Sequence, residues 1–285
     1  VELTAHNQLL RVDLERGAAI SHLTLIGQNG QSKSIIEPNE EFKFESSLLF
    51  PFPNRLAGGK FSFQGKTYQF PHNDFGQPNA LHGIIHDMTF GCVEESTSTL
   101  VLELKYKGDI PYYPFPFKLE VKYILGQGSL DIEIDIENSG SESMPCGFGW
   151  HPYFNLGNEF DDSLLKMGDM IKVEVDELSI PTGKETPYHT FDQPNSFSYI
   201  TLDNCFIYPS DLRERSTELI YKDKSVLEVW QDNQQSFVQV FTHPNKKAIA
   251  IEPMTCGINA FNTGKGLRVL KGGESWKLRM GLRYK

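Results

Sequence analysis

Leu130-Asp131-Ile132-Glu133-Ile134-Asp135-Ile136-Glu137 alternates aliphatic and acidic residues without a break. In a β-strand successive side chains point to opposite faces, so this order sends the aliphatics to one side and the acids to the other. The same period of two recurs on both sides of the stretch: Leu100–Tyr106 and Lys118–Leu125 before it, then Lys172–Val175, Val226–Trp230, Phe237–Thr242, Lys247–Glu252 and Trp276–Tyr284 after it. Gly126-Gln-Gly-Ser129 and Asn138-Ser-Gly140 separate neighbouring runs with turn-forming residues. Lys60–Phe70 reads as a hairpin pivoting near Gln64-Gly65. Pro111-Tyr-Tyr-Pro-Phe-Pro-Phe117 reads as a stiff connector into a strand, because proline cannot donate to a ladder. No long segment carries a 3.6-residue period, and the best short helix candidate is Ser210-Asp211-Leu212-Arg213 with Ser210 as cap. No linker or break in composition divides the chain. The expectation is an all-β fold: one large antiparallel β-sandwich domain over residues 1–285.

Bulk properties narrow the function. The net charge is −10, and no cluster of Lys and Arg forms a phosphate-tracking stripe. Nucleic acid and anionic membrane surfaces are therefore poor partners. The four cysteines, at 92, 146, 205 and 256, form no close Cys-x-x-Cys pair, which argues against a structural zinc site and for reduced core thiols. No run of about 18 apolar residues is present, and no signal peptide is visible. The chain starts at Val1 rather than Met, which leaves room for a removed leader. A cytoplasmic protein, monomer or homodimer, is expected.

Several residues stand in unusual surroundings. His151 lies within Cys146-Gly-Phe-Gly-Trp-His-Pro-Tyr-Phe-Asn-Leu156, among four aromatic residues. Alone it fits a core histidine as well as a general acid, since an ordinary pKa of ~6.5 lets small shifts decide its charge. Glu252 ends an apolar run and shares a face with Ala248 and Ala250, small residues that leave room for a cavity. It fits a solvated strand end or a general base. Arg55 follows Asn54 in a proline-flanked apolar stretch, where its fork suits loop carbonyls or ligand oxygens. His82 and His86 are four apart, but the glutamate of a His-Glu-x-x-His site is absent and Gly83 weakens a helix, so a ligand-donating loop histidine is favoured over a metal site. Asp203 sits in Asp-Asn, ordinary turn chemistry, or accepts from a ligand hydroxyl. Gln239 alternates with Val238 and Val240, so its amide points away from their face. No glycine-rich phosphate loop and no Gly-x-Ser-x-Gly elbow occur.

Together these segments resemble the aldose 1-epimerase family, the galactose mutarotases. Asn54-Arg55 with Gly59, Phe61, Phe63, Gly65 and Tyr68 is similar to one family motif, and Leu81-His82-Gly83 to a second. His151-Pro-Tyr-Phe-Asn-Leu156 is similar to a third, Leu202-Asp203-Asn-Cys-Phe206 to a fourth, and Ile251-Glu252-Pro253 to a fifth, all in family order. The resemblance implies a β-supersandwich with an active-site cleft over its strands. It implies His151 as proton donor to the ring oxygen and Glu252 as base at the C1 hydroxyl. It also implies a sugar held by Asn54, Arg55, His82, Tyr153 and Asp203, with Gln239 in the position of a family glutamine. Ile84-Ile85 after Gly83, Phe90 near a family tryptophan position, and Glu-Pro-Met-Thr at 252–255 resemble a divergent branch.

The implied activity is the interconversion of α and β anomers of a free aldohexose, which needs an acid and a base but no metal and no cofactor. Rival readings are a hexose 6-phosphate mutarotase, for which a basic cluster is lacking, and a non-catalytic carbohydrate-binding protein, which would not need both His151 and Glu252. A glycoside hydrolase would pair Asp203 with Glu252 and leave the His151 motif unexplained.

Overall fold

The computed structural model describes residues 1–39, 41, 44–209 and 212–285. Strands dominate, and the single α-helix among the described residues is the short Ala260–Thr263. Residues 210 and 211 of the helix candidate lie outside the described residues; Leu212 and Arg213 beside them are not helical.

Two large antiparallel sheets form the sandwich. One has nine strands in the order Gly91–Glu95, Thr99–Tyr106, Phe117–Gly126, Ser129–Asn138, Ser275–Tyr284, Val226–Asp232, Glu214–Ile220, Leu164–Lys166, Asn195–Ser196. The other has eight: Pro181–Tyr188, Met170–Val175, Asp203–Ile207, Phe237–Thr242, Ala248–Met254, Gly149–His151 and Ser47–Leu49 in order, with Tyr153–Asn155 also pairing Ala248–Met254. A four-stranded sheet from Glu2–Ala5 to Ser32–Ile36 and small hairpins complete the fold.

The alternating stretch behaves as its pattern dictates. Ser129–Asn138 alternates half-buried and buried residues along its whole length. Ile134 pairs Val121 on one side and Leu278 on the other, which puts it in the middle of the sheet. Ile132, Ile134 and Ile136 join Ile249, Ile251, Val238 and Val240 of the eight-stranded sheet in one buried apolar cluster. Each such side chain contributes about 1.5–3 kcal/mol of transfer free energy, which makes this cluster the main source of cohesion. The hairpin at 60–69 turns at Gln64 and Gly65, both with positive φ. The Pro-aromatic connector enters the strand at Phe117 and buries Tyr113, whose hydroxyl donates to the Pro145 carbonyl at 2.9 Å. One expectation is corrected. Cys146, Cys205 and Cys256 are buried free thiols, but Cys92 is exposed, because Gly91–Glu95 is an edge strand with every residue facing solvent.

Candidate active site

The outer face of the eight-stranded sheet becomes polar at one place. In Ala248–Met254 the residues Ile249 and Ile251 enter the core, so Ala248, Ala250 and Glu252 face the other way. Gln239 lies directly opposite Glu252, and Phe241 opposite Ala250. Tyr153 pairs Ala250 from the other side, and its ring covers the two alanines. Asp203 pairs Phe241, and Asp203 Oδ1 accepts from Gln239 Nε2 at 2.6 Å. Asp203 therefore opens a strand, not the turn its Asp-Asn sequence suggests.

A separate ribbon supplies the opposite wall. Arg55-Leu56 pairs Ala80-Leu81, which sets Asn54 beside His82. The Asn54 N–H donates to His82 Nδ1 at 3.1 Å, and the His82 N–H donates to the Asn54 carbonyl at 3.0 Å. With Nδ1 accepting, a neutral His82 carries its proton on Nε2 and is a donor. Burial, and then the charges of His151 and Arg55, hold its pKa well below the ordinary value. Asn54 and His82 both have positive φ, so the ribbon is a bent, specific backbone path. The Phe44 ring packs edge-on against His82 at 4.7 Å and His86 at 5.0 Å, and the two histidines line different hollows on either side of it.

The eight residues singled out in the sequence, Asn54, Arg55, His82, His151, Tyr153, Asp203, Gln239 and Glu252, line one cavity of about 180 Å³. His151 Nε2 stands 3.4 Å from Glu252 Oε1, and both side chains are buried. Burial pushes the Glu252 carboxyl well up; Asp203 adds to the rise and Arg55 opposes it. Burial pushes the His151 imidazole down to about 4. Glu252 Oε2 and Gln239 Oε1 are buried with no hydrogen-bond partner, and His151 Nδ1 has none beyond its own backbone. Leaving such a group unpaired costs about 1–3 kcal/mol, so the two orphaned oxygens of Glu252 and Gln239 in one cavity call for a polar occupant.

A larger hollow of about 560 Å³ lies between Gly27–Gln28 and the outer face of the nine-stranded sheet, beside Trp230, Arg279 and Arg283. Its Arg283 fork is committed to Glu214 at 2.7 and 2.9 Å. The smaller cavity, where unpaired polar atoms converge, is the better site for chemistry.

Two supports escaped the sequence reading. Asp74 is buried, and its Oδ2 accepts from Arg55 Nε at 2.9 Å and from Asn79 Nδ2 at 3.0 Å. The Asn79 amide also donates to the Leu178 carbonyl at 3.2 Å, which links Arg55 to a distant loop. Neither residue shows in the sequence, because turn chemistry at Asn73-Asp74-Phe75-Gly76 reads as ordinary. The aromatic segment also divides. Phe148, Trp150 and Phe154 are fully buried, with Trp150 Nε1 donating to Ser46, while Tyr153 alone of the four reaches the cavity. Phe241 lines it too and was not singled out, although its place two residues on from Gln239 in the same strand puts both on one face.

A β-sandwich of this architecture matches known proteins throughout its length. The chain belongs to the aldose 1-epimerase family, whose model matches residues 1–283. It is 31% identical over 241 residues to the uncharacterized protein YihR of Escherichia coli, covering 81% of this chain and 76% of that one. It is 31% identical over 195 residues to the galactose mutarotase of Rattus norvegicus, covering 62% of this chain and 55% of that protein, so that match spans just over half the mammalian enzyme. A galactose mutarotase-like protein from Clostridium acetobutylicum superposes with a TM-score of 0.88 at 20% identity, over 100% of this chain and 94% of that one. A GalM/aldose epimerase homologue from C. elegans superposes with a TM-score of 0.84 at 18% identity, over 100% of this chain and 98% of that one. At those identities the structures speak for the fold alone. The resemblance read from the five motifs is borne out. No helix among the described residues is long and apolar enough to cross a membrane.

Proposed function

We propose that the protein interconverts the α and β anomers of a free aldohexose. The observation that carries this reading is the His151–Glu252 pair, 3.4 Å apart and buried, with an unpartnered carboxylate oxygen beside it. In the forward direction Glu252 takes the proton of the C1 hydroxyl. The C1–ring oxygen bond breaks as C1 becomes a carbonyl, and His151 gives its proton to the departing ring oxygen. Rotation about C1–C2 presents the other carbonyl face. On closure His151 takes the hydroxyl proton back, Glu252 returns its proton to the carbonyl oxygen, and the opposite anomer results. Arg55, the Nε2–H of His82, and the Gln239–Asp203 pair hold the remaining hydroxyls.

The cavity of about 180 Å³ suits one pyranose ring. Arg55 is the one Lys or Arg lining it among the described residues, and Asp74 already holds its Nε. That disfavours a 6-phosphate, which needs uncommitted cations. A purely sugar-binding role leaves the buried acid–base pair without a use.

Polarimetry of freshly dissolved α-D-glucose, α-D-galactose and other aldoses tests the proposal. Catalysed mutarotation is expected for at least one, with kcat reduced roughly 10²- to 10⁴-fold by His151→Asn and by Glu252→Gln. No acceleration for any aldose, or full activity in both variants, would overturn it.

A further inference from the structure

The acid–base chemistry leaves one conspicuous residue at the pocket mouth unused. Phe75 is 68% exposed, yet its ring lines the cavity that holds His151 and Glu252. It also borders an adjoining hollow of about 340 Å³ that includes Arg16, Asn73 and His86. Its backbone is strained: φ is 43°, a left-handed conformation that bulky side chains rarely adopt. Folding draws little from the ring, because so much of it faces water.

The mount beneath it is hydrogen-bonded on several sides. Phe75 sits in a tight turn closed by the Gln77 N–H donating to the Asp74 carbonyl at 2.7 Å. The Asp74 side chain points inward and bonds both Arg55 and Asn79. Phe44 meets Phe75 edge-on at 6.5 Å and touches His82 at 4.7 Å. One turn therefore fixes a buried carboxylate on a ligand-facing arginine and an aromatic ring at the entrance. Strain kept at a well-anchored position on the lining of a cavity points toward a contact with its occupant.

A pyranose offers hydroxyls around its rim and C–H bonds on its faces. Gln239, Glu252 and Asp203 answer hydroxyls, and the rings of Tyr153 and Phe241 lie on the sheet side of the cavity, so the outward C–H face is left to the ring at the mouth. We propose that Phe75 stacks on the outward C–H face of the bound pyranose and selects aldoses in which no axial hydroxyl interrupts that face. This rests on the reading that the pocket takes a free aldose.

The test compares Phe75→Ala and Phe75→Trp with the wild type. Polarimetric kinetics are run on the sugar panel. Binding without turnover is read by saturation-transfer NMR with 1,5-anhydro-D-glucitol and 1,5-anhydro-D-galactitol, which lack the C1 hydroxyl. For Phe75→Ala the expected result is a KM rise of about five- to tenfold with kcat within about twofold. An equal loss of affinity for the preferred anhydrosugar is expected, and Phe75→Trp should restore both. Unchanged KM and anhydrosugar affinity in Phe75→Ala, binding of neither anhydrosugar to the wild type, or a loss that Trp does not restore would overturn the proposal. The two readings fail separately. Phe75-dependent anhydrosugar binding with no mutarotation of any aldose sinks the catalytic reading and keeps this one. Normal turnover with Phe75-independent binding does the reverse.

Discussion

The proposed reaction moves one proton between His151 and Glu252, which stand 3.4 Å apart. Burial raises the carboxyl pKa and lowers that of the imidazole, so both shifts favour the uncharged pair, with the proton on Glu252. The proposed forward step starts from the other arrangement, carboxylate and imidazolium, and ends in the uncharged one. In the proposed reaction this burial favours ring opening and disfavours its starting state, while Arg55 and the sugar's hydroxyls steady the carboxylate. The same burial fixes a sign for stability. Above the ordinary carboxylate value of 4.5, and up to its raised native value, the folded protein holds a proton on Glu252 that the unfolded chain has lost. Stability contributed by this group is therefore present at low pH and lost as pH rises through that window. Glu252→Gln removes the titration and keeps the shape. Its melting temperature should exceed the wild type's by about 2 °C or more at pH 8, with a smaller difference at pH 5. Equal differences at the two pH values in thermal melts would count against the buried, protonated carboxyl. His151 has the opposite sign: as pH falls from 6.5 toward about 4, the unfolded chain takes up a proton that the native imidazole refuses, and stability falls.

At the scale of elements, the site depends on how two ribbons meet. Gly83 has φ +72°, and a Cβ there would lie 2.2 Å from the Phe50 carbonyl oxygen. The Ile84 N–H donates to that same oxygen at 2.8 Å, so the backbone has no room to retreat. Gly83→Ala must therefore move the segment that presents the adjacent His82. Both effects are expected in one variant: destabilisation of about 1–3 kcal/mol in denaturant melts and a loss of kcat/KM larger than the stability loss explains. Wild-type kinetics in Gly83→Ala would show that His82 is not placed by this contact. The strands themselves were legible, because alternation is a local property: Ser129–Asn138 and Ala248–Met254 read their faces directly from the residues. The motifs around Asn54, His82, His151, Asp203 and Glu252 were legible as well, each being a short contiguous signature. Asp74, Asn79 and Phe75 were not. Asp74 meets Arg55 across 19 positions, and Asn79 meets the Leu178 carbonyl across 99, through pairings that only the assembled topology creates.

For the whole molecule, the question is whether the chain unfolds as one unit. We propose that it does. The nine-stranded sheet is assembled from segments spread between Gly91 and Tyr284, with the last strand inserted between Ser129–Asn138 and Val226–Asp232. The four-stranded N-terminal sheet is tied in by Gln8, which donates to the Gly126 carbonyl at 2.6 Å and accepts from the Gly128 N–H at 2.8 Å. One apolar cluster takes in residues from Leu3 to Tyr284. No piece can leave without exposing the inner face of another, so partial unfolding forfeits most of the burial that holds the rest. Differential scanning calorimetry should then give a single transition whose calorimetric and van't Hoff enthalpies agree. A cavity at the centre should act on that one transition: Ile134→Ala, at about 2–5 kcal/mol, should lower its midpoint without splitting it. Two separable transitions, or an Ile134→Ala effect confined to one of them, would divide the chain where the contacts join it.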